Sequence, residues 1–145
     1  MKTAAQILKS KPDQIVHAIA PAASVFDAVK MMAEKNIGAL LVMEGERIVG
    51  IVTERDYARK IILVGRTSRE TPVTEIMASE VMFVHPTQTS EECMALMTEN
   101  RIRHLPVVDA GKLVGLISIG DLVKDIISEQ RFIIEQLEHY IRGER

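Results

Sequence analysis

The sequence predicts an α/β fold of the mixed α+β kind. Two β-α-β-β-α repeats pack about a pseudo-two-fold axis, and a long amphipathic helix follows the second. Three observations predict it. The stretch GIVTERD, Gly50 to Asp56, returns as GLISIGD, Gly115 to Asp121. Sliding the chain by the same 65 positions lays 16–57 over 81–122 without a gap, so that Pro21 meets Pro86, Met32 meets Met97, Leu40 meets Leu105 and Val42 meets Val107. After the second copy, Leu122, Ile126, Ile133, Leu137 and Ile141 recur at helical spacing.

Each repeat opens on a short strand, IVHAIA or VMFVH, closed by a proline. A hydroxyl N-cap comes next, Ser24 or Thr89, with Asp27 or Glu92 in the first turn. The helix behind it sets Ala28, Met31 and Met32 on one face, matched in the second copy by Cys93, Leu96 and Met97. Two apolar runs follow, ALLVM with IVGIV and LPVV with LVGLI, joined as hairpins by the polar turns EGER and DAGK. The hydroxyl–x–x–Asp element then starts a second helix. Neither copy alone has enough core, so the two should pack face to face.

Segment 65–79, GRTSRETPVTEIMAS, carries turn and cap residues and reads as a linker with a helical turn near VTEIM. The predicted organisation is therefore 1–64, first repeat with an N-terminal helix; 65–79, linker; 80–127, second repeat; 128–145, helical extension. Leaving the stripe of that extension in water would be costly. It folds back on its own module or packs on the same helix of a second copy; the reading taken is the dimer, or partner docking by the same surface.

A chain of 145 residues makes one domain, or two small ones sharing a core. With 47% hydrophobic and 26% charged residues it is of ordinary globular composition; aromatics are 3%, so the core is aliphatic plus Met. A net charge of −2 gives no pull toward nucleic acid or membrane. No apolar stretch is long enough to span a bilayer, and the polar N-terminal MKTAAQILKSKPDQ does not read as a secretory signal. The single cysteine, Cys93, excludes an internal disulfide and suits a reducing compartment. A cytoplasmic protein is expected.

The repeated hydroxyl–x–x–Asp has a local meaning. Thr53 with Asp56, and Ser118 with Asp121, stand at the spacing of an N-cap and its N3 acid, close to a capping box worth about 1 kcal/mol. The same atoms suit a nucleotide. A helix N-terminus attracts phosphate, and a carboxylate beside it can accept the hydroxyls of a ribose. Hydrogen bonds to charged groups contribute about 1.5–3 kcal/mol each. The readings are compatible, because the backbone can be capped while the carboxylate still faces a cleft.

The repeat resembles the CBS domain, named after cystathionine beta-synthase, in its tandem form. GIVTERD is similar to that family's Gly-x-x-Thr-x-x-Asp signature, RIRHLPVVD with KLVGLISIGD to the usual second copy, and NIGALLVME to the usual first; the resemblance spans about 3–127. It implies a regulatory module that binds adenosine-containing ligands (AMP, ADP, ATP, NAD(H) or S-adenosylmethionine) in clefts between the repeats. On that implication Thr53 and Asp56 hold one ribose, and Ser118 and Asp121 the other. The adenine pockets are lined by Ile37, Gly38 and Ala39 and by Ile102, Arg103 and His104, with Ile15, Val16, Val81 and Met82 at the strand entries. Arg55, Arg103, His104, Arg101 and Arg59 are the phosphate candidates. The resemblance also implies a homodimer. With no catalytic domain in view, the expectation is a non-enzyme that needs no metal and passes its output to a downstream protein. The alternative is a ligand-independent dimeric adaptor with vestigial clefts.

The copies differ. Gly120 replaces Arg55, while Arg103 and His104 replace Gly38 and Ala39, so charge has moved to another strand. One tight and one weak or differently selective site are expected. The histidines at 17, 85, 104 and 139 lack metal-ligand spacing. GLISIGD nearly spells a phosphate loop, but Asp121 stands where Lys is required. Lys9, Lys11, Arg66 and Arg69 read as solvated charges, and Cys93 as buried and inert.

Overall fold

The computed structural model describes residues 2–12 and 14–143. Residues 1 and 144–145, the ends of the first and last predicted segments, lie outside the described residues, as does Asp13. In chain order the elements are α1 (Ala4–Ser10), β1 (Ala18–Ile19), α2 (Val25–Lys35), β2 (Ala39–Glu44), β3 (Arg47–Thr53), α3 (Glu54–Tyr57), a π-helical turn (Ala58–Ile62), a 3-10 turn (Val73–Glu75), α4 (Ser90–Asn100), β4 (His104–Asp109), β5 (Lys112–Ser118) and α5 (Ile119–Ile141). They divide into two compact units, one of Ile15–Met82 and one of Met1–Gln14 with Phe83–Arg145.

In the first of these, β1 pairs parallel to β2 and β2 antiparallel to β3. Only Ala18 and Ile19 of the predicted strand join the sheet. α2 starts at Ser24, whose hydroxyl accepts from the Asp27 N–H, and it buries Val25, Ala28 and Met32. These meet Leu40, Val42 and Val52 of the sheet. The predicted linker also completes the core: Val73 and Ile76 are fully buried in it. The Thr71 carbonyl accepts the Val25 N–H at 2.8 Å, and Ala78 bridges to Ile51.

In the second unit, β4 and β5 form the hairpin and Val84 alone bridges to Val107, standing for the predicted strand VMFVH. α4 buries Cys93 and Met97. Burial, with Glu92 adding to it, pushes the Cys93 thiol pKa up, which disfavours the reactive thiolate. α1, grouped in the sequence reading with the first repeat, belongs here. Its apolar Ala4 and Ile7 find cover only in the core with Val84, Leu105, Ile117 and Leu122. Backbone bonds from Ala4 to the Gln88 carbonyl and from Ser90 to the Lys2 carbonyl tie it in. α1 holds the place that the linker holds in the other unit: Leu8 lies against Gly115 as Met77 lies against Gly50.

The repeat reaches the hydrogen-bond pattern. Each hairpin slips register at the same point, Val42/Met43 and Val107/Val108. Each turns through two residues, Gly45-Glu46 or Ala110-Gly111, with positive φ at Gly45, Ala110 and Gly111. α5 runs 23 residues and buries only Leu122 and Asp125.

Candidate functional site

Each hairpin delivers its hydroxyl residue, Thr53 or Ser118, as the last residue of a strand and the N-cap of the helix that follows. In the Ile15–Met82 unit the Thr53 N–H donates to Asp56 Oδ2 at 3.0 Å, and the Thr53 hydroxyl donates to the same oxygen at 3.1 Å. The Asp56 N–H donates back to Thr53 Oγ1 at 3.2 Å. Lys60, one turn on, stands 3.4 Å from Asp56 Oδ1 and donates to the Ile76 carbonyl at 2.8 Å. Gly38 and Ala39 adjoin this element: the Gly38 carbonyl accepts the Glu54 N–H at 3.1 Å, and Ala39 pairs with Thr53. Arg55 and Arg59 are exposed around it. Ile37 packs against the unit's core. Val16 and Val81 are half-buried, while Ile15 and Met82 are exposed.

In the other unit the Ser118 N–H donates to Asp121 Oδ2 at 2.8 Å, and the Asp121 N–H returns to Ser118 Oγ at 3.2 Å. The charge that balances this carboxylate comes from far along the chain. Lys11 Nζ lies 3.0 Å from the same Oδ2 and donates to the Leu116 carbonyl at 2.8 Å. Arg103 and His104 adjoin the element: the Arg103 carbonyl accepts the Ile119 N–H at 2.8 Å, and His104 pairs with Ser118. His104 is half-buried, and burial is the main force lowering its pKa; Lys11 and Arg103 push the same way and Asp121 opposes them. The lowered pKa favours the neutral ring. Ile102 packs against the core, and Arg101 is exposed in a left-handed C-cap, φ 54°.

Both capping boxes therefore form, and the structure shows what they leave over. Among the described residues, both bonds to Asp121 land on Oδ2, leaving Oδ1 able to accept a hydroxyl. At Asp56, Oδ2 takes both Thr53 bonds and Oδ1 faces Lys60.

Lys11 and Lys60 were missed from the sequence. Lys60 had a signal, the i,i+4 spacing from Asp56. Lys11 had none, and it is not the solvated charge it was read as. Arg66 and Arg69 are exposed, as read, with Arg66 paired to Glu75 and Arg69 over the Phe26 ring at 4.0 Å. Beside Asp121 opens a cavity of about 190 Å³ walled by Lys2, Lys11, Lys124 and Asp125 among others. Among the described residues no three His, Cys, Asp or Glu side chains gather to hold a metal, and no helix is long and apolar enough to cross a membrane.

The model of the CBS domain family matches residues 5–63 and 73–128. A protein with CBS domains from Burkholderia ambifaria MC40-6 is 60% identical, with a TM-score of 0.86 over 89% of this chain and 96% of that one. The CBS domain-containing protein CBSX3, mitochondrial, of Arabidopsis thaliana is 45% identical over 83% of this chain; the match spans 61% of that relative's own length. A structure of CBSX2 in complex with AMP is 26% identical, with a TM-score of 0.72 over 88% of this chain and 98% of that one.

Proposed function

The chain belongs to the CBS domain family, and from that premise we propose that it is a regulatory module that binds an adenosine-containing ligand and passes its occupancy to a partner protein, without transforming the ligand. AMP, ADP, ATP, NAD(H) and S-adenosylmethionine share the adenosine that its residues address. The observation that carries the reading is the half-used carboxylate. The cap and Lys11 occupy Asp121 Oδ2, and Oδ1 stays available to a ribose hydroxyl. Lys11, Arg103 and His104 stand near it to meet phosphate. Around Asp56 the basic residues are Arg55, Arg59 and Lys60, on the helical segment itself. The AMP complex of CBSX2 supports the ligand class. A ligand changes the module's output only by binding one of its conformations better than another. The single cysteine fits a cytoplasmic setting.

The test has two stages. Purified protein, freed of nucleotide, is melted with each ligand. A ligand at about a hundred times its dissociation constant stabilises by about 2.7 kcal/mol. Calorimetry then compares Asp121→Asn and Asp56→Asn, which keep an amide oxygen to accept the cap N–H. A loss of about tenfold in affinity, about 1.4 kcal/mol, in Asp121→Asn supports the ribose role. No shift with any of the five at millimolar concentration sinks the reading and leaves the interaction adaptor.

A further inference from the structure

We infer that the cavity between α1 and α5 is a binding site for a small acidic amino acid. The inference goes beyond the nucleotide reading and turns on Lys2, Lys124 and Asp125, to which that reading gives no role.

The cavity holds about 190 Å³, and its walls all belong to the unit of Met1–Gln14 with Phe83–Arg145. α5 contributes Asp121, Lys124, Asp125 and Ser128. These recur at i, i+3, i+4 and i+7, so they form one stripe along the helix. Where a helix lies beside another such a stripe is ordinarily apolar; here every position is polar. The α1 side answers in kind. Lys2 Nζ lies 3.1 Å from Asp125 Oδ1, and Lys11 Nζ lies 3.0 Å from Asp121 Oδ2. Ion pairs are a weak means of joining two helices, since apolar side chains of similar volume hold them as well or better. Nor is the stripe inherited from the repeat. The corresponding places in the first copy hold Asp56, Arg59, Lys60 and Leu63. An acid, Asp125, has taken the place of the lysine that balances Asp56, and the balancing charge on Asp121 has been moved to Lys11.

Asp125 is the second sign of a ligand. Its side chain is 4% exposed, yet neither carboxylate oxygen has an aligned hydrogen bond among the described residues. A buried carboxylate left in this way is rare, and it points to a donor from outside the chain. Lys2, 40% exposed, is the side chain that can swing to admit one.

The charges select the ligand class. Three lysines and two aspartates leave the walls one positive charge in excess, and Lys124 makes no ion pair among the described residues. A simple cation is repelled by the lysines. A simple anion satisfies them and brings no donor to Asp125 or to Asp121 Oδ1. An acidic amino acid meets both needs. Its two carboxylates face the ammonium groups of Lys2, Lys11 and Lys124, its own ammonium faces the aspartates, and its net charge of −1 cancels the excess. The size agrees, for pockets that enclose larger ligands run to about 300–1,000 Å³.

The test is calorimetry of the full chain at constant ionic strength, with L-glutamate and L-aspartate as probes. No nucleotide is present, so the outcome does not depend on the nucleotide reading. The expected result is that one or both bind with a dissociation constant of about 1 mM or tighter. Glutarate and succinate keep the two carboxylates without the ammonium, and γ-aminobutyrate keeps the ammonium with a single carboxylate. Each should bind at least about tenfold more weakly. Lys124→Ala, at an exposed position, should weaken the amino acid about tenfold. Asp125→Asn should abolish the preference for the amino acid over its dicarboxylate, and circular dichroism confirms that both variants stay folded. Absence of binding by either amino acid at about 10 mM overturns the proposal. So does equal binding of the dicarboxylates, which marks a plain anion patch. An affinity untouched by Lys124→Ala, or a preference that survives Asp125→Asn, places the binding elsewhere and overturns it too.

Discussion

Gly50 and Gly115 occupy the same place in the two repeats, yet alanine should cost very different amounts at each. Neither has a positive φ, so the backbone itself admits alanine at both. The neighbours differ. A Cβ on Gly115 would come within 2.6 and 2.7 Å of the two terminal methyls of Leu8. Those methyls are the free end of a half-buried side chain on α1 and can swing aside. Overpacking of this mild kind costs about 1 kcal/mol, and removing a glycine from the unfolded chain returns about 0.4–1 kcal/mol. The two nearly cancel. A Cβ on Gly50 would strike the Met77 sulfur and would also stand 2.9 Å from the Ala78 carbonyl oxygen. The sulfur can move; the carbonyl is backbone, held by the Ile51 N–H at 3.0 Å, with the Ala78 N–H returned to the Ile51 carbonyl at 2.9 Å. Relief means peeling Ala78 from β3 and weakening two hydrogen bonds of about 0.5–1.5 kcal/mol each. The expected loss for Gly50→Ala is about 2–4 kcal/mol, a fall in Tm of roughly 6–12 °C. Gly115→Ala should stay within about 3 °C of wild type. Scanning calorimetry of the two variants decides it. Equal losses, or a larger loss at Gly115, would refute the claim that the rigidity of the neighbour sets the cost.

Two other predictions concern charge. His104 has its pKa lowered by burial, Lys11 and Arg103; as pH falls the unfolded chain takes up the proton first, so the stability held by the neutral ring is complete above about pH 6.5 and declines below it. An NMR titration should find the ring below 6.5, moved up by Lys11→Met and down by Asp121→Asn; a wild-type value at or above the ordinary one contradicts this. Asp125 has a side chain 4% exposed with Oδ1 3.1 Å from Lys2 Nζ, and neither oxygen makes a well-aligned hydrogen bond among the described residues. Asp125→Leu should be neutral or stabilising, whereas Lys2→Met, which strands the carboxylate, should destabilise by about 1–3 kcal/mol, the partly exposed lysine being screened by water. Urea titration reads both, and the opposite order would show that the pair is held by something other than mutual charge.

What could be read from the sequence was whatever depends on neighbours in the chain or on the repeat. Ser24, Thr89, Thr53 and Ser118 cap helices as their spacing indicates, because a cap is satisfied within three residues. The hairpins follow from their turns for the same reason. The partners of α1 and of the linker could not be read. Two buried residues, Val73 and Ile76, lie among Thr, Ser, Arg and Glu, too few to show a period. α1 looks like a lead-in to the first repeat, and only its packing on Val84, Leu105 and Ile117 shows otherwise. Lys11 is the sharpest case. Its partners Leu116 and Asp121 are more than a hundred residues away, and no local pattern carries that information. The offset of 65 does hold a clue: it lays Lys11 over Ile76, a position already committed to the core of the other unit.

That difference bears on how unlike the two elements are. Asp56 is balanced by Lys60 from its own helical segment, and that lysine is 47% exposed. Its ammonium is fixed at i+4 and faces Oδ1, the oxygen the cap does not use. A ribose must therefore share that oxygen with Lys60 or move it. Asp121 is balanced by Lys11, which is 25% exposed and bound to the same oxygen as the cap. Here a ribose meets an oxygen with no prior partner among the described residues, beside a lysine held ready by the Leu116 carbonyl. Fewer bonds have to be broken at Asp121, and the charge nearby is already in place, so less of the interaction energy goes into rearrangement. Asp121→Asn should then weaken binding more than Asp56→Asn, and Lys11→Met should weaken it more than Lys60→Met. If calorimetry ranks either pair the other way, the free carboxylate oxygen is not what sets affinity. The basic residues on the helical segment, Arg55 and Arg59, would then be the ones to explain it.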